Sequence, residues 1–420
     1  MKKVKVKIED ISYEGSGVGR VDGKVVFVPK TLVGEEVEAV LTKETSSFAV
    51  GELVNIVRAS ESRIDSECPY FAMCGGCDFQ HCSYQEEEFI KKELVKEEFS
   101  KIENVENLDF VASEDRFWYR NKIKLEVDNG KVGYYKNKSH NFFEIECCPI
   151  ATKEINAVLP TVKEFIGENN FRNLKNVYIK QVENKLAVCM LFLKNSKKYQ
   201  KNIKKLEKFG KNSVFFAYGD VLEDNKTEIF CVYGENDLKE KISNSCIEIE
   251  VGAFNQINSK IADKMYSEVL SAVENKRVIN AYSGQGALTY LIAQKAKFVY
   301  GIEYQKSAHL AAEKLKLLIS GYKMENVCGK VEENIAQILL RDKIDVVVLD
   351  PARRGCQKEV LEAILSSEID EIIYISCKYS TQVRDIKMLK EKYNINKIKI
   401  FDMFPNTANV ENVVFLKKKS

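Results

Sequence analysis

Acidic and thiol side chains stand at the ends of three short apolar runs in the last third of the chain. The residues are Glu303, Asp350 and Cys377, and the runs span 298–304, 343–350 and 371–377. Such runs, each followed by a helical pattern, are typical of parallel strands covered on both faces. Ligands bind beyond the carboxyl ends of strands in an open parallel sheet, so we expect these groups to face one crevice.

Cys377 is the candidate nucleophile of this group. A free cysteine is usually a small buried hydrophobe. It becomes a nucleophile where cations favour the thiolate, and Lys378 and Arg384 are available nearby in the sequence. Asp350 is either a group that binds substrate or cofactor, or the N-cap of the helix that follows it. Two acids at neighbouring strand ends favour the catalytic interpretation of the cysteine.

A glycine-containing turn follows the first apolar strand of the same region. Residues 281–287 read Ala-Tyr-Ser-Gly-Gln-Gly-Ala and precede a helical pattern. Glycines at such a turn let a ligand approach the backbone, and an acid at the end of the next strand, here Glu303, can bind ribose hydroxyls. The pattern indicates an adenosine-containing cofactor. Thr289 replaces the third glycine of the pyrophosphate fingerprint, which favours S-adenosylmethionine over a nicotinamide cofactor.

Glu411 is the candidate general base. It lies in the segment 402–412, which enters the last apolar strand, and Val410 and Val413 are close to it in the sequence. A half-buried carboxyl in that setting has a raised pKa, as a general base near neutral pH requires. A solvated glutamate fits the local sequence equally well.

A dense group of cysteines lies far from these residues in the sequence. Cys68, Cys74 and Cys77 surround the glycines at 75 and 76. Thiolates packed with glycines indicate a metal loop, because small residues let backbone N–H groups reach the sulfur atoms of a cluster. A structural zinc site is the alternative. A fourth ligand is needed, and the candidates are Cys82, Cys147 and Cys148.

The composition excludes several other chemistries. Histidine occurs only at positions 81, 140 and 309, which leaves little material for a Ser-His-Asp triad or a poly-histidine metal site. The net charge of +2 gives no sign of a polyanion partner, so a nucleic-acid surface must be local. Twelve cysteines without an apolar leader indicate a reducing compartment. No run approaches the ~18 apolar residues needed to span a bilayer, so we expect a soluble, cytoplasmic protein.

The elements that must position these groups change in character along the chain. A length of 420 residues indicates two or three domains. The first 58 or so residues alternate as short strands separated by turns, which predicts a small β-barrel, with an edge sheet of a larger domain as the alternative. The lysine-rich stretch 194–211 is expected to be a solvated helix face, with RNA contact as the alternative. A doubly wound α/β region begins near 251.

The middle of the chain mixes helix and strand patterns. A helix is expected at 86–102 with Phe89, Leu94 and Phe99 facing inward, and strands are expected from 117 to 146. A buried hairpin is predicted from two further apolar segments, 177–182 and 186–193. The helix packs either on this central region or on the C-terminal region.

Together these motifs resemble the family of RNA uracil-5 methyltransferases. The resemblance covers nearly the whole chain and is carried by residues 68–77, 119–122, 254–258, 350–353, 376–377 and 402–405. It implies an α/β protein with a C-terminal class I (Rossmann-like) methyltransferase domain, an N-terminal OB-like TRAM barrel and a mixed α+β central domain. The implied domains are 1–58, 59–250 with the iron–sulfur motif, and 251–420. The barrel and the cysteine motif together point to the branch that acts on ribosomal RNA.

The resemblance also implies roles for individual residues. Cys377 would be the nucleophile and Glu411 the general base in methyl transfer from S-adenosylmethionine to uridine C5 of 23S rRNA. The cofactor pocket would be lined by Gln256, Tyr282, Glu303 and Asp350. A [4Fe–4S] cluster would be held by Cys68, Cys74, Cys77 and Cys148. Cys148 is preferred to Cys147 because the family cysteine directly precedes proline. The protein would act as a monomer and would have no membrane partner.

Other functions stay open on the sequence alone. Methylation of tRNA and a non-catalytic role as an iron–sulfur RNA-binding protein are both compatible with the motifs. A nicotinamide oxidoreductase is opposed by the missing third glycine. Four residues also depart from the family pattern, and two of them, Asn280 and Ala287, are expected to loosen cofactor binding; the others are Ala352 and Asn409.

Overall fold

Five strands at the N-terminus close into a barrel in the computed structural model of the chain. They are β1 (Lys3–Ile11), β2 (Ser16–Val21), β3 (Lys24–Pro29), β4 (Glu36–Glu44) and β5 (Phe48–Arg58). The order is β1-β2-β3-β5-β4, and β4 pairs with β1 to close the barrel. Val4, Val6 and Ile8 point into its core, as their alternation with exposed lysines predicts. The predicted small barrel is confirmed.

The structure describes most of the chain, with gaps that fall mainly between residues 204 and 255. The described residues are 2–105, 108–137, 139–169, 171–203, 214–221, 227–233, 238–242, 245–248, 256–319, 321 and 323–419. The predicted boundary at 250/251 and part of the lysine-rich stretch, 204–211, lie outside them.

One helix, α1 (Tyr84–Ser100), and a short strand, β6 (Asp109–Val111), follow the cysteine-rich segment 68–82, which we call the cysteine loop. The Oγ of Ser83 caps the helix by accepting a hydrogen bond from the Glu86 N–H. Val95 and Phe99 are fully buried in a core that they share with the C-terminal region. The predicted helix is therefore present, two residues earlier than expected.

The prediction that Phe89 faces inward is wrong, because its side chain is 59% exposed. The buried face of α1 instead carries the ion pair formed by Glu87 and Lys91, whose Oε1 and Nζ atoms are 2.6 Å apart. A prediction based on apolar residues alone therefore assigned the wrong buried face to the N-terminal half of the helix.

A seven-stranded sheet forms the central region. Its elements are β7 (Lys122–Asp128), β8 (Lys131–Tyr135), β9 (Phe142–Glu144), α2 (Lys153–Asn169), β10 (Leu174–Val182), β11 (Lys185–Phe192), a 3-10 turn (Ser196–Tyr199), α3 (Gln200–Ile203), β12 (Val214–Val221) and β13 (Thr227–Tyr233). The order is β13-β12-β11-β10-β7-β8-β9. The predicted hairpin is confirmed as the antiparallel pair β10–β11. A two-stranded hairpin, β14 (Lys239–Ile242) and β15 (Ser245–Glu248), follows.

The C-terminal region alternates helices and strands. Its elements are α4 (Ser259–Ala272), β16 (Arg277–Ala281), α5 (Ala287–Lys295), β17 (Phe298–Glu303), α6 (Lys306–Lys316), β18 (Met324–Cys328), α7 (Val331–Arg341), β19 (Val346–Leu349), α8 (Lys358–Leu365), β20 (Glu371–Ser376), α9 (Tyr379–Leu389), β21 (Tyr393–Phe401) and β22 (Glu411–Lys418). The sheet order is β18-β17-β16-β19-β20-β22-β21-β6. The predicted class I (Rossmann-like) fold is confirmed.

One edge strand of the C-terminal sheet, β6, comes from the first third of the chain. The five strands β16 to β20 run parallel to one another. Strand β22 runs antiparallel to both of its neighbours, β20 and β21. At the far edge β6 pairs in parallel with β21, and α1 packs against α9. Both elements between the cysteine loop and the central sheet thus contact the C-terminal sheet or its helices.

Replacing Lys91 by methionine should destabilise the protein strongly. The ammonium group is fully buried between Glu87 and Asp402, at 2.6 and 2.7 Å, so its loss leaves the buried Asp402 without this cation and Glu87 with Arg116 alone. Breaking such a pair costs ~3–5 kcal/mol. The matched control is Lys92→Met, whose pair with Glu88 is partly exposed and is worth at most about 1 kcal/mol. Urea unfolding of both variants would measure the difference, and equal midpoints would contradict it.

Candidate active site

The carboxyl ends of the parallel strands meet the start of β22 at one edge of the sheet. Tyr282, Asp350 and Cys377 directly follow β16, β19 and β20. Because β22 runs antiparallel to β20, its first residue, Glu411, lies at the same edge. The topology therefore gathers groups from distant parts of the sequence at the place where open α/β sheets bind ligands.

A cavity of about 450 Å³ lies at this edge. All but one of the predicted catalytic and cofactor residues line it: Gln256, Tyr282, Asp350, Cys377 and Glu411. The hairpin β14–β15 adds Glu240 and Ile247 to the lining, so the cavity is shared between the hairpin and the C-terminal sheet.

Glu303, the remaining predicted residue, supports the glycine turn from behind. Its carboxylate accepts hydrogen bonds from the N–H groups of Gly284, at 3.0 Å, and Gln305, at 2.7 Å. Each carboxylate oxygen has more than one lone pair, so Glu303 can accept a further hydrogen bond from a ligand. The acid both shapes the turn and keeps acceptor capacity beside it.

The glycine turn itself leaves room for a ligand. Gly286 has a φ of +84°, and a Cβ there would lie 2.6 Å from the Cβ of Ala312, so a larger residue does not fit. Gly284 has a φ of +55° and open space where a Cβ would stand. Within the described part of the chain, the buried Ser283 Oγ and Asn280 Oδ1 have no hydrogen-bond partner. Open space beside unpartnered polar atoms fits a polar ligand such as a nucleoside.

Asp350 and Glu411 are buried carboxyl groups with raised pKa values. Burial raises the pKa of Asp350 to about 7. Burial and the charge of Asp350 hold the pKa of Glu411 well above its usual range, against the opposing effect of Arg353. Glu411 Oε2 has no hydrogen-bond partner among the residues that the structure describes. A carboxyl in this state is suited to proton transfer with a bound ligand.

The thiol of Cys377 lies near these carboxyls and one cation. Its pKa is raised to about 11, first by burial and then by the charges of Glu411 and Asp350. Arg353 lowers that pKa through a hydrogen bond and its positive charge. The arginine therefore stabilises the thiolate, the form that acts as a nucleophile.

The two cations expected from the sequence to favour this thiolate do not do so. Lys378 is not among the groups that shift the pKa of this thiol, and Arg384 pairs with Asp385, with the NH2 and Oδ1 atoms 2.7 Å apart. Arg353 takes their place from the loop after β19. Its position three residues after Asp350 was the available signal, because a residue so close to a strand end shares the same crevice.

The cysteines predicted to bind metal gather at a second cavity, of about 640 Å³. Its lining includes Cys68, Cys74, Cys77, Cys147 and Cys148. The Gly76 N–H points at Cys74 Sγ, at 3.4 Å, in the way expected for small residues beside cluster sulfurs. In the described part of the chain, no three potential ligands are close enough to hold a single metal ion.

The three candidates for the fourth ligand differ in their surroundings. The charge of Cys148 influences both Cys68 and Cys77, whereas that of Cys147 influences Cys68. Cys82 does not line the cavity and donates to the Phe79 carbonyl instead. Of the three, Cys148 has the most contact with the predicted set.

Comparison with known proteins decides the family. The family model described as tRNA (Uracil-5-)-methyltransferase matches residues 83–419, and the TRAM domain model matches residues 2–54. The chain belongs to the uracil-5 RNA methyltransferase family. Enzymes of this family use S-adenosylmethionine, so the family also accounts for the adenosine-type turn.

Relatives and a solved structure match the chain over nearly its full length. An uncharacterized RNA methyltransferase of Fusobacterium nucleatum is 33% identical over 99% of this chain and 96% of the relative. One of Staphylococcus aureus is 31% identical over 98% and 97%. The crystal structure of Pyrococcus abyssi tRNA (uracil-54, C5)-methyltransferase with S-adenosyl-L-homocysteine has a TM-score of 0.82 at 22% identity, covering 98% and 99%. Its likeness shows the shared fold.

Replacing Arg353 by glutamine should make the thiol of this family member less reactive. The wild-type pKa of about 11 would rise further without the cation, so at pH 8 a smaller fraction is thiolate. A rise of one unit corresponds to roughly tenfold slower alkylation. Iodoacetamide labelling of Cys377, followed by mass spectrometry, would measure the rate. Arg354→Gln is the matched control, and equal rates in the two variants would contradict the assignment.

Among the described residues, no helix is long and apolar enough to cross a bilayer.

Proposed function

We propose that the chain methylates C5 of a uridine in 23S rRNA, with Cys377 as nucleophile and Glu411 as general base. The observation that carries the proposal is the meeting of a thiol, two buried carboxyls and one arginine in a single cavity. Uracil C5 is a poor nucleophile, so an enzyme must activate it before a methyl group can be attached. This set of groups suits that task.

The first step uses the thiol and Arg353. The Cys377 thiolate adds to C6 of the uracil, which breaks the C5–C6 double bond and places the electron pair on the enolate. Arg353 favours this step because it stabilises the thiolate. Asp350, which lines the same cavity, orients the base or the methyl donor.

The second role belongs to Glu411. After C5 has gained a methyl group, its remaining proton must leave so that the C5–C6 bond can re-form and the thiolate can depart. Glu411 accepts that proton at its unpartnered Oε2. The buried setting, which raises the pKa of the carboxyl, makes it a stronger base once it is ionised.

The cofactor is assigned to the glycine turn and its neighbours. Bound S-adenosylmethionine supplies an electrophilic methyl group. Gln256, Tyr282, Glu303 and Asp350 would hold it, and the open space beside Gly284 fits an adenosine at the turn. Glu303 would accept from ribose hydroxyls, as acids at the end of this strand do.

The target base must leave its stack before Cys377 can reach C6. The C5–C6 edge is covered in stacked RNA, so the nucleotide is flipped into the cavity. Loops and single strands are favoured because their bases splay out at low cost. The barrel, the Arg120 region and local lysines would provide the RNA contacts.

A [4Fe–4S] cluster held by Cys68, Cys74, Cys77 and Cys148 completes the proposal. The four thiols line one cavity and the Gly76 N–H points at one of the sulfurs, which supports a cluster at this place. The cluster would be architectural, since the reaction transfers no electrons. Zinc is the alternative, and iron and sulfide analysis of the purified protein would distinguish them.

The wider assignments follow from the same proposal. The domains are assigned to 1–58, 59–250 and 251–420, with α1 and β6 of the second segment packed on the third. The protein is assigned to the cytoplasm as a monomer. Methylation of tRNA is the second candidate, because the Pyrococcus abyssi protein of the same fold acts on uracil-54 of tRNA.

The test uses RNA that contains 5-fluorouridine. Fluorine cannot leave as a cation, so the enzyme should stall covalently after methyl transfer. Fragments of 23S rRNA and whole tRNA would each be incubated with S-adenosylmethionine and analysed on denaturing gels. We expect an adduct with an rRNA fragment. An adduct with tRNA alone would reassign the substrate, and binding without any adduct would favour a non-catalytic RNA-binding protein.

A further inference from the structure

A buried group of charges joins α1 to the loop that precedes β22. Lys91 is fully buried, and its Nζ donates to Glu87 Oε1 at 2.6 Å, to Asp402 Oδ1 at 2.7 Å and to the Phe404 carbonyl at 3.2 Å. Tyr84 donates its hydroxyl to the other oxygen of Asp402, at 2.6 Å. These contacts fix the start of the segment 402–408, which we call the base loop because it ends three residues before Glu411.

Asn406 holds the middle of the base loop. It adopts a φ of +68°, a conformation that asparagine tolerates better than most residues. Its N–H donates to Glu87 Oε1 at 2.6 Å, and its amide donates to the Arg116 carbonyl at 2.6 Å. Its carbonyl accepts from the N–H groups of Asp78, at 2.8 Å, and Phe79, at 3.0 Å.

Asp78 holds the end of the base loop. Its carboxylate accepts a hydrogen bond from the Ala408 N–H at 3.0 Å, and it directly follows Cys77 in the cysteine loop. Gly15 of the barrel packs against both residues, since an added Cβ there would lie 3.0 Å from the Cβ atoms of Ala408 and Asp78. The barrel, the cysteine loop and the base loop therefore meet at one buried joint.

We propose that Asp78 is a positioning residue for Glu411. The cysteine loop, through the carboxylate and backbone of Asp78, fixes the base loop and thereby the first residue of β22. This proposal rests on the proposed role of Glu411 as the general base. It gives the cysteine loop a task in the reaction itself, in addition to any role in stability or RNA contact.

The position of Glu411 matters for one step more than for the others. Removal of the C5 proton needs the carboxylate within hydrogen-bond distance of C5, and an error near 1 Å can slow such a step by about a hundredfold. Addition of Cys377 and methyl transfer precede that step. A displaced base should therefore let the methylated covalent adduct accumulate on ordinary uridine RNA, where the wild type releases its product.

The variants are Asp78→Ala and Asp78→Asn, with Asp65→Ala as the matched control. Asp65 is an exposed carboxylate just before the cysteine loop. We expect Asp78→Ala to lower turnover about tenfold or more, within the range for a misplaced group, with an unchanged dissociation constant for RNA. The methylated adduct should be visible on denaturing gels. Asp78→Asn keeps an acceptor for the Ala408 N–H and should recover most of the turnover.

A second readout does not depend on activity. In Asp78→Ala, hydrogen–deuterium exchange of peptides covering 402–411 should become faster, while peptides of β16 should stay unchanged. If Asp78→Ala matches Asp65→Ala in exchange and turnover, or loses turnover without accumulating the adduct, the positioning role is wrong. If the wild type itself forms no adduct with 5-fluorouridine RNA, the proposed function fails first, and the assignment of Glu411 falls with it.

Discussion

Cys377→Ala should abolish methylation, with turnover falling by about 10⁴-fold or more, because Cys377 is the only thiol among the described residues that line the cavity. The hydroxyl of Cys377→Ser is a much weaker nucleophile and should lose nearly as much. Transfer of a radioactive methyl group from S-adenosylmethionine to RNA would measure the loss. The covalent adduct with 5-fluorouridine RNA should disappear in both variants, whereas RNA binding should remain.

The control for this prediction is another cysteine of the same sheet. Cys328 is exposed at the end of β18 and does not line the cavity, so Cys328→Ala should retain activity and the adduct. If Cys377→Ala keeps more than a few per cent of wild-type turnover, the covalent mechanism is wrong. The family assignment does not depend on that result.

Glu411→Gln should separate methyl transfer from product release. The amide has the shape of the carboxyl but cannot accept the C5 proton, so turnover should fall by about 10²–10⁴-fold. One methyl group per enzyme should still be transferred, and the methylated adduct should persist on ordinary uridine RNA. Single-turnover labelling combined with denaturing gels would show both effects.

An alkylation experiment and a control variant test this prediction further. The charge of Glu411 raises the pKa of Cys377, so Glu411→Gln should make alkylation of that thiol faster. Glu359→Gln, an exposed glutamate on α8, is the control and should change neither the rate nor the adduct. Slow turnover without an adduct would mean that Glu411 acts before or during addition to C6, and not as the base that removes the proton.

Residues at the ends of parallel strands could be assigned to the candidate site from the sequence alone. Asp350 and Cys377 were predicted to share a crevice because both end apolar runs, and the structure brings them to one cavity. That inference is local, since parallel strands present their carboxyl ends on the same side whatever the helices between them do. Glu411 needed more, because only the antiparallel direction of β22 brings its first residue to that edge.

Contacts between distant segments could not be predicted from the sequence. Which of several arginines turns towards a thiol depends on the loop backbone and on competing acids, and Asp385 captures Arg384. The burial of Lys91 on α1 could not be predicted, because its partner, Asp402, lies more than 300 residues away in the sequence. The periodicity of apolar residues cannot reveal such a pair, because it reports only on residues within a few helical turns of one another.

The pairing of β6 with β21 has a consequence for how the chain is made. During synthesis, Asp109 leaves the ribosome long before its partner Lys399 exists, so the outer edge of the sheet can be completed only near the end of translation. Such long-range pairing slows folding and prolongs the exposure of hydrophobic surface and unpaired strand edges. A fragment that starts at residue 251 would lack β6 and leave β21 as a bare edge, a template for aggregation. Expression of the isolated C-terminal region should therefore require residues 84–111 to be supplied with it.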